Sequence, residues 1–164
     1  MTRWARMVFV SALGLWVGGM ATVGFIVAPT VFRTVPSRLQ AGTIFGAVLH
    51  NFGTQQIILA VVCLASLVAL RLAGGLSNRR AAFRIGGVGV MLALVLVSQY
   101  YLSPEIVRER ESIAAFDSVP AGTPRKARFD RLHRTSVQLA GATLLIGVVL
   151  LVCSTLTPKA PDGA

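Results

Sequence analysis

Four stretches of the chain, roughly residues 7–28, 45–70, 83–102 and 132–156, are almost unbroken runs of apolar side chains. A run of about 20 apolar residues, wound at about 1.5 Å per residue, covers a hydrocarbon core about 30 Å thick. Inside that core each segment must pair its own backbone N–H and C=O groups, so only helices or closed barrels can cross. The runs show no alternation and do not divide into the strands of about ten residues that a barrel needs. The expected fold is therefore all-α: a polytopic membrane protein folded as an antiparallel four-helix transmembrane bundle. Residues 1–164 read as a single transmembrane domain, with 104–131 as an extramembrane helical link.

The distribution of charge agrees. Only 13% of the residues are charged, and 16 Lys and Arg against 6 Asp and Glu leave a formal charge of +10. The arginines gather at the ends of the apolar runs, where anionic headgroups meet them, and no basic patch is interleaved with aromatics. A lipid bilayer is the expected partner, and nucleic acid is not. Cys63 and Cys153 lie inside apolar runs and form no CxxC pair, so they read as small buried hydrophobes. Arg3 and Arg6 precede the first run as in a signal peptide. That run is too long for one and lacks a small-x-small closing site, so it reads as a retained helix.

Local signals punctuate the spans. Pro29 is expected to end or kink the first. Arg71 and Gly74-Gly75 close the second, Ser77 is a plausible cap for the third, and Ser103-Pro104 ends it. Ile106, Ile113 and Phe116 fall on one face. They predict either a resumption of the third helix beyond the membrane or an interfacial amphipathic helix. Val119 to Gly122 reads as a turn, Thr123-Pro124 as the start of the fourth helix, and residues 159–164 as a frayed polar tail.

Seven basic residues lie on the side of the termini and nine on the side of the long link. The dense Arg71–Arg84 cluster in a short loop places the termini in the cytoplasm of a cell-membrane, multi-pass protein. Gly14 and Gly18 stand one turn apart, as do Gly42 and Gly46, so both pairs suit close helix packing. Packing within the chain is expected, with a homo-oligomer as the alternative.

Alternating topology brings the starts of spans two and four and the end of span three to one face of the membrane. His50, Asn51, Gln55, Gln99, Tyr100, His133, Ser136 and Gln138 would meet there in a shallow region. Polar groups in membrane helices mark functional sites by default, whereas at headgroup depth water alone explains them. His50 and His133, helped by Asp130, are also candidates to hold haem or a transition metal. The apolar middles leave no continuous polar track for a pore. Three functions follow: a non-enzymatic bundle that binds or moves a small ligand or metal, a haem- or quinone-linked redox subunit, or an accessory subunit of a larger membrane complex.

The run Gly24-Phe-Ile-Val-Ala-Pro-Thr-Val-Phe32 with Arg38 and Ala41-Gly42, and the run Phe129-Asp-Arg-Leu-His133-Arg-Thr-Ser136-Val137, carry a resemblance. They are similar to bacterial membrane proteins of a domain-of-unknown-function family that includes a small human transmembrane protein linked to platinum-drug resistance. The resemblance covers nearly the whole chain and implies four helices, with Pro29, Phe32, His133 and Ser136 as characteristic positions. Relatives often place an Asn soon after that serine, where this chain has Leu139-Ala140. No activity comes with the resemblance.

Overall fold

The structure is a computed structural model that describes residues 2–111 and 123–156. The expected turn at 119–122, the positions of Ile113 and Phe116, and the tail at 159–164 lie outside the described residues. Four helices account for almost everything else: α1 (Thr2–Thr34), α2 (Arg38–Leu72), α3 (Asn78–Glu111) and α4 (Pro124–Thr155). They hold 33, 35, 34 and 32 residues. At about 1.5 Å per residue each is roughly 50 Å long, so its ends stand well outside a hydrocarbon core of about 30 Å.

The helices form a ring in which each packs against the next and α4 closes on α1. The pairs α1/α3 and α2/α4 therefore stand diagonally. The core is built from Phe9, Leu13 and Trp16 of α1, Cys63 and Leu67 of α2, Val88 and Met91 of α3, and Leu150 of α4. On α1, α2 and α3 these residues recur three or four apart, the spacing of one helical face. The outer faces are no less apolar. Leu15, Phe25 and Leu145 are each at least 68% exposed. Large side chains of this kind facing outward on all four helices are what lipid demands and water does not.

Glycine sets the closest approaches. A Cβ at Gly87 would come within 2.9 Å of Leu150, and one at Gly147 within 2.7 Å of Val17. Gly14 and Gly18 do not share in this, because beyond their own turns of helix no atom of the described residues lies within 4 Å of where their Cβ would stand. On α1 the buried face is that of Phe9, Leu13 and Trp16, and the two glycines lie off it.

At two prolines the helix runs on, the second time as the expected resumption of the third helix beyond the membrane, and for one shared reason. Pro29 does not end the first helix, and Ser103-Pro104 does not end the third. Each proline sits two residues after a π turn, Val23–Val27 in α1 and Ser98–Leu102 in α3. Within these turns Ala28 N–H donates to Val23 O, and Ser103 N–H donates to Ser98 O. The wider turn takes up the proline's missing N–H and the crowding of its ring, so the helix continues. The end of α2 is as expected. Gly74 has φ +70°, Gly75 N–H reaches Leu70 O at 3.0 Å, and Gly74 N–H reaches Arg71 O at 3.2 Å. That is a Schellman ending, which requires a left-handed residue that only glycine adopts without strain.

Candidate functional site

The described residues of the long link are the outer turns of α3 and α4, and Arg128 bridges the two. Arg128 of α4 pairs with Glu105 at 3.3 Å and with Glu109 at 3.0 Å, while Glu105 also accepts from Arg108 at 2.8 Å. Below this clamp lies a direct polar contact between α3 and α2. Gln99, inside the π turn of α3, donates from Nε2 to His50 O at 2.8 Å and stands 3.2 Å from His50 Nδ1. The carboxamide fits because position 53 carries no side chain; its three terminal atoms lie 2.5 to 2.7 Å from where a Cβ would stand. Thr54 Oγ1 donates to the same His50 carbonyl at 3.4 Å.

With the Gln99 amide hydrogen on Nδ1, the neutral His50 ring keeps its own proton on Nε2. A metal at His50 Nδ1 would have to displace Gln99. His133 does not reach this place. It is exposed and stacks on Phe129 of its own helix, with ring centroids 6.1 Å apart and planes inclined by 1°. Because α2 and α4 are diagonal, the two histidines that the sequence puts at the same height are held on opposite corners of the ring. Among the described residues no three His, Cys, Asp or Glu side chains form a group able to hold a metal ion.

Of the other expected residues, Asn51, Gln55, Tyr100 and Asp130 are exposed and Ser136 is half-buried. Tyr100 and Tyr101, 69% and 68% exposed, suit the amphipathic ring layer at a membrane surface. The structure buries Gln56 where the sequence pointed to Gln55. The helical face 53, 56, 60, 63, 67, all buried, could have identified it.

Two arginines are the larger omission. Arg84 is 5% exposed and Arg110 is 8% exposed. Arg84 Nη2 donates to Cys153 O at 3.2 Å, and Arg6 Nη2 donates to Ser154 O at 3.1 Å. These carbonyls belong to the last turn of α4, where helix geometry provides no partner and the dipole favours a cation. The half of the bundle bearing the termini is thus not plain hydrocarbon: a cavity of about 340 Å³ there is lined by Arg79, Arg80, Phe83, Arg84 and Cys153. Arg84 shares the buried face Ala81, Val88, Met91 and Val95, a periodicity visible in the sequence. Arg110 lies on the glycines of α2: its Nη1 is 3.1 Å from the Cβ position of Gly42 and 3.7 Å from that of Gly46.

Long helices with apolar exteriors, closed in a ring and capped by charged turns, define the class: a polytopic four-helix integral membrane protein. The chain belongs to the DUF4149 family, a domain of unknown function, whose sequence profile matches residues 11–115. That stretch contains His50, Gln99 and Arg110 and stops short of α4 and His133. No curated protein and no solved structure matches the chain.

Proposed function

We propose that this protein is a non-enzymatic membrane bundle that binds a small polar ligand, and helps to move it, at the end bearing the link between α3 and α4. The observation that carries the reading is Gln99 set into the Gly53 gap and bonded to His50, within a π turn. Polar side chains are costly in a membrane helix and π turns recur at functional sites, so their coincidence favours a site. The paired π turns of α1 and α3, each followed by a proline, supply two places where helices at one end can bend. The His50–Gln99 bond supports a hydrogen-bonding ligand ahead of a metal or haem.

Mass spectrometry of small molecules retained by purified wild-type protein and by Gln99→Leu tests this directly. A species carried by the wild type and lost from the variant is expected, and identical extracts would remove the reading. An absorption spectrum and elemental analysis of the same samples would instead establish the haem or metal alternative, through a Soret band or a stoichiometric metal lost in His50→Ala.

A second reading, an oligomer or an accessory subunit of a larger membrane complex, has its own support. Beyond their own turns of helix, Gly14, Gly18, Gly86, Gly89 and Gly141 have no atom of the described residues within 4 Å of their Cβ positions. Outward small residues let another helix approach closely. Native mass spectrometry in mild detergent tests it: a purely monomeric wild type excludes self-association, and absence of co-purifying subunits excludes the complex. We place the protein in the cell membrane with both termini cytoplasmic, on the strength of the basic cluster around Arg79 and Arg80. We extend the kinship to the small human transmembrane protein linked to platinum-drug resistance on the motifs around Pro29 and His133.

A further inference from the structure

The guanidinium of Arg110 is buried against a neighbouring helix with no counter-charge among the described residues. Its Nε is fully enclosed and has no hydrogen-bond partner, and the side chain as a whole is 8% exposed. The nearby carboxylates are engaged elsewhere: Glu105 with Arg108 and Arg128, and Glu109 with Arg128, across the α3–α4 contact. Glu111 is exposed. On the other side Arg110 faces the first turns of α2, where Gly42 and Gly46 open a groove for it. Those turns bring a positive helix end rather than a compensating negative one. Ser37 caps them through its side chain, accepting from Gln40 N–H at 3.4 Å, and Arg38 is the first helical residue.

Isolated buried charges are not tolerated in folded proteins, which pair them or neutralise them. An arginine keeps its charge, so the pairing has to come from an anion. We infer that Arg110 and the first turns of α2 form a binding site for a phosphate group at headgroup depth. A guanidinium offers two parallel N–H donors that match two phosphate oxygens, and a helix N-terminus adds dipole attraction for the same ion. The depth favours phosphate over other anions. The apolar run of α2 begins at about residue 45, so Gly42 and Gly46 straddle the boundary where lipid phosphates lie. The phosphate can belong to a phospholipid headgroup or to a soluble phosphate. The site needs neither His50 nor Gln99 and stands apart from the reading above.

The test uses the full chain, delipidated in dodecyl maltoside, with thermal unfolding and native mass spectrometry as readouts. Phosphatidylglycerol, inorganic phosphate and, as a control without phosphate, diacylglycerol are added separately. Phosphatidylglycerol is expected to raise the unfolding temperature and leave a retained adduct, whereas diacylglycerol does neither. An equal effect of inorganic phosphate assigns the site to soluble phosphates; no effect of it assigns the site to lipid. In Arg110→Gln, binding should weaken by at least about tenfold, the loss of one charge-assisted hydrogen bond. Without added anion that variant should unfold at the same temperature as the wild type or higher, because an uncompensated charge has gone. Arg80→Gln, at the opposite end, should bind as the wild type does. If Arg110→Gln does not accumulate, Gly42→Leu crowds the guanidinium while keeping it and should lose the same binding. The inference is overturned if neither anion outperforms diacylglycerol on the wild type. It is equally overturned if Arg110→Gln binds as tightly, or if that variant is destabilised without anion, since the guanidinium then has a partner inside the chain.

Discussion

The carboxamide of Gln99 occupies the volume that a side chain at Gly53 would fill, and from there bonds the carbonyl and ring of His50 one turn earlier on the same helix. One missing Cβ on α2 thus decides where a polar side chain of α3 points. A Cβ at position 53 would stand 2.5 Å from the Gln99 terminus and expel it. The loss of its hydrogen bonds to His50 should cost about 1–2 kcal/mol, partly offset by about 1 kcal/mol of helix propensity gained on replacing glycine by alanine. The sharper expectation is coupling. Gly53→Ala should be at least about 0.5 kcal/mol more harmful in the wild-type background than in a Gln99→Ala background, as measured by a double-mutant cycle of detergent unfolding. Additive effects would contradict the packing described.

Arg84 should be the most sensitive arginine at the end bearing the termini. It is buried and bonded to Cys153 O, a carbonyl for which α4 has no internal partner. Arg84→Leu should lose about 1.5–3 kcal/mol, the range for hydrogen bonds to charged groups. The exposed Arg79→Leu should stay within about 0.5 kcal/mol of the wild type. Chemical unfolding in mixed micelles measures both.

The clamp between α3 and α4 is a surface feature. The Arg128 side chain is 63% exposed, so its two ion pairs should contribute no more than about 1 kcal/mol to global stability. Its effect should be local. Arg128→Ala is expected to speed amide exchange in 104–111 and 124–130 while the unfolding temperature hardly moves, and added salt should mimic the substitution.

The π turn of α3 sets the phase of everything beyond it. Inserting one alanine after Tyr101 would add a residue that the turn has no second way to absorb, and would rotate the following residues by about 100°. Arg110 would leave Gly42, and Glu105 and Glu109 would leave Arg128. Faster exchange in both helix ends and a lower unfolding temperature are expected, larger than for Tyr101→Ala, whose side chain is 68% exposed.

Cys153 is exposed beside the arginine-lined cavity, whereas Cys63 is fully buried between helices. A membrane-impermeant maleimide should label Cys153 and spare Cys63 in folded protein. With cytoplasmic termini, labelling should occur in inside-out vesicles and not on intact cells; the reverse result would invert the assigned orientation.

Spacing carried the reading of the site part of the way. His50 and Gln99 were both legible as costly polar residues near one membrane face, and they do meet. His133 was placed at the same height by the same logic and does not join them, since height along a bundle says nothing about which helices are diagonal. Gly42 and Gly46 were legible as a close-packing pair, but their occupant was not, because helical spacing beyond Pro104 does not say which residue there turns toward α2. The ring closure that buries Arg84 and Arg110 depends on contacts between residues far apart in the chain.

The sequence by itself determined that this is a four-helix membrane protein. The length and purity of its apolar runs leave the backbone no other way to satisfy its hydrogen bonds in lipid. Where the helices stop at prolines, which corners the histidines occupy, and which arginines are buried were decided only by tertiary structure. Those outcomes depend on two π turns and on the order of the helices around the ring, and neither is written in hydropathy.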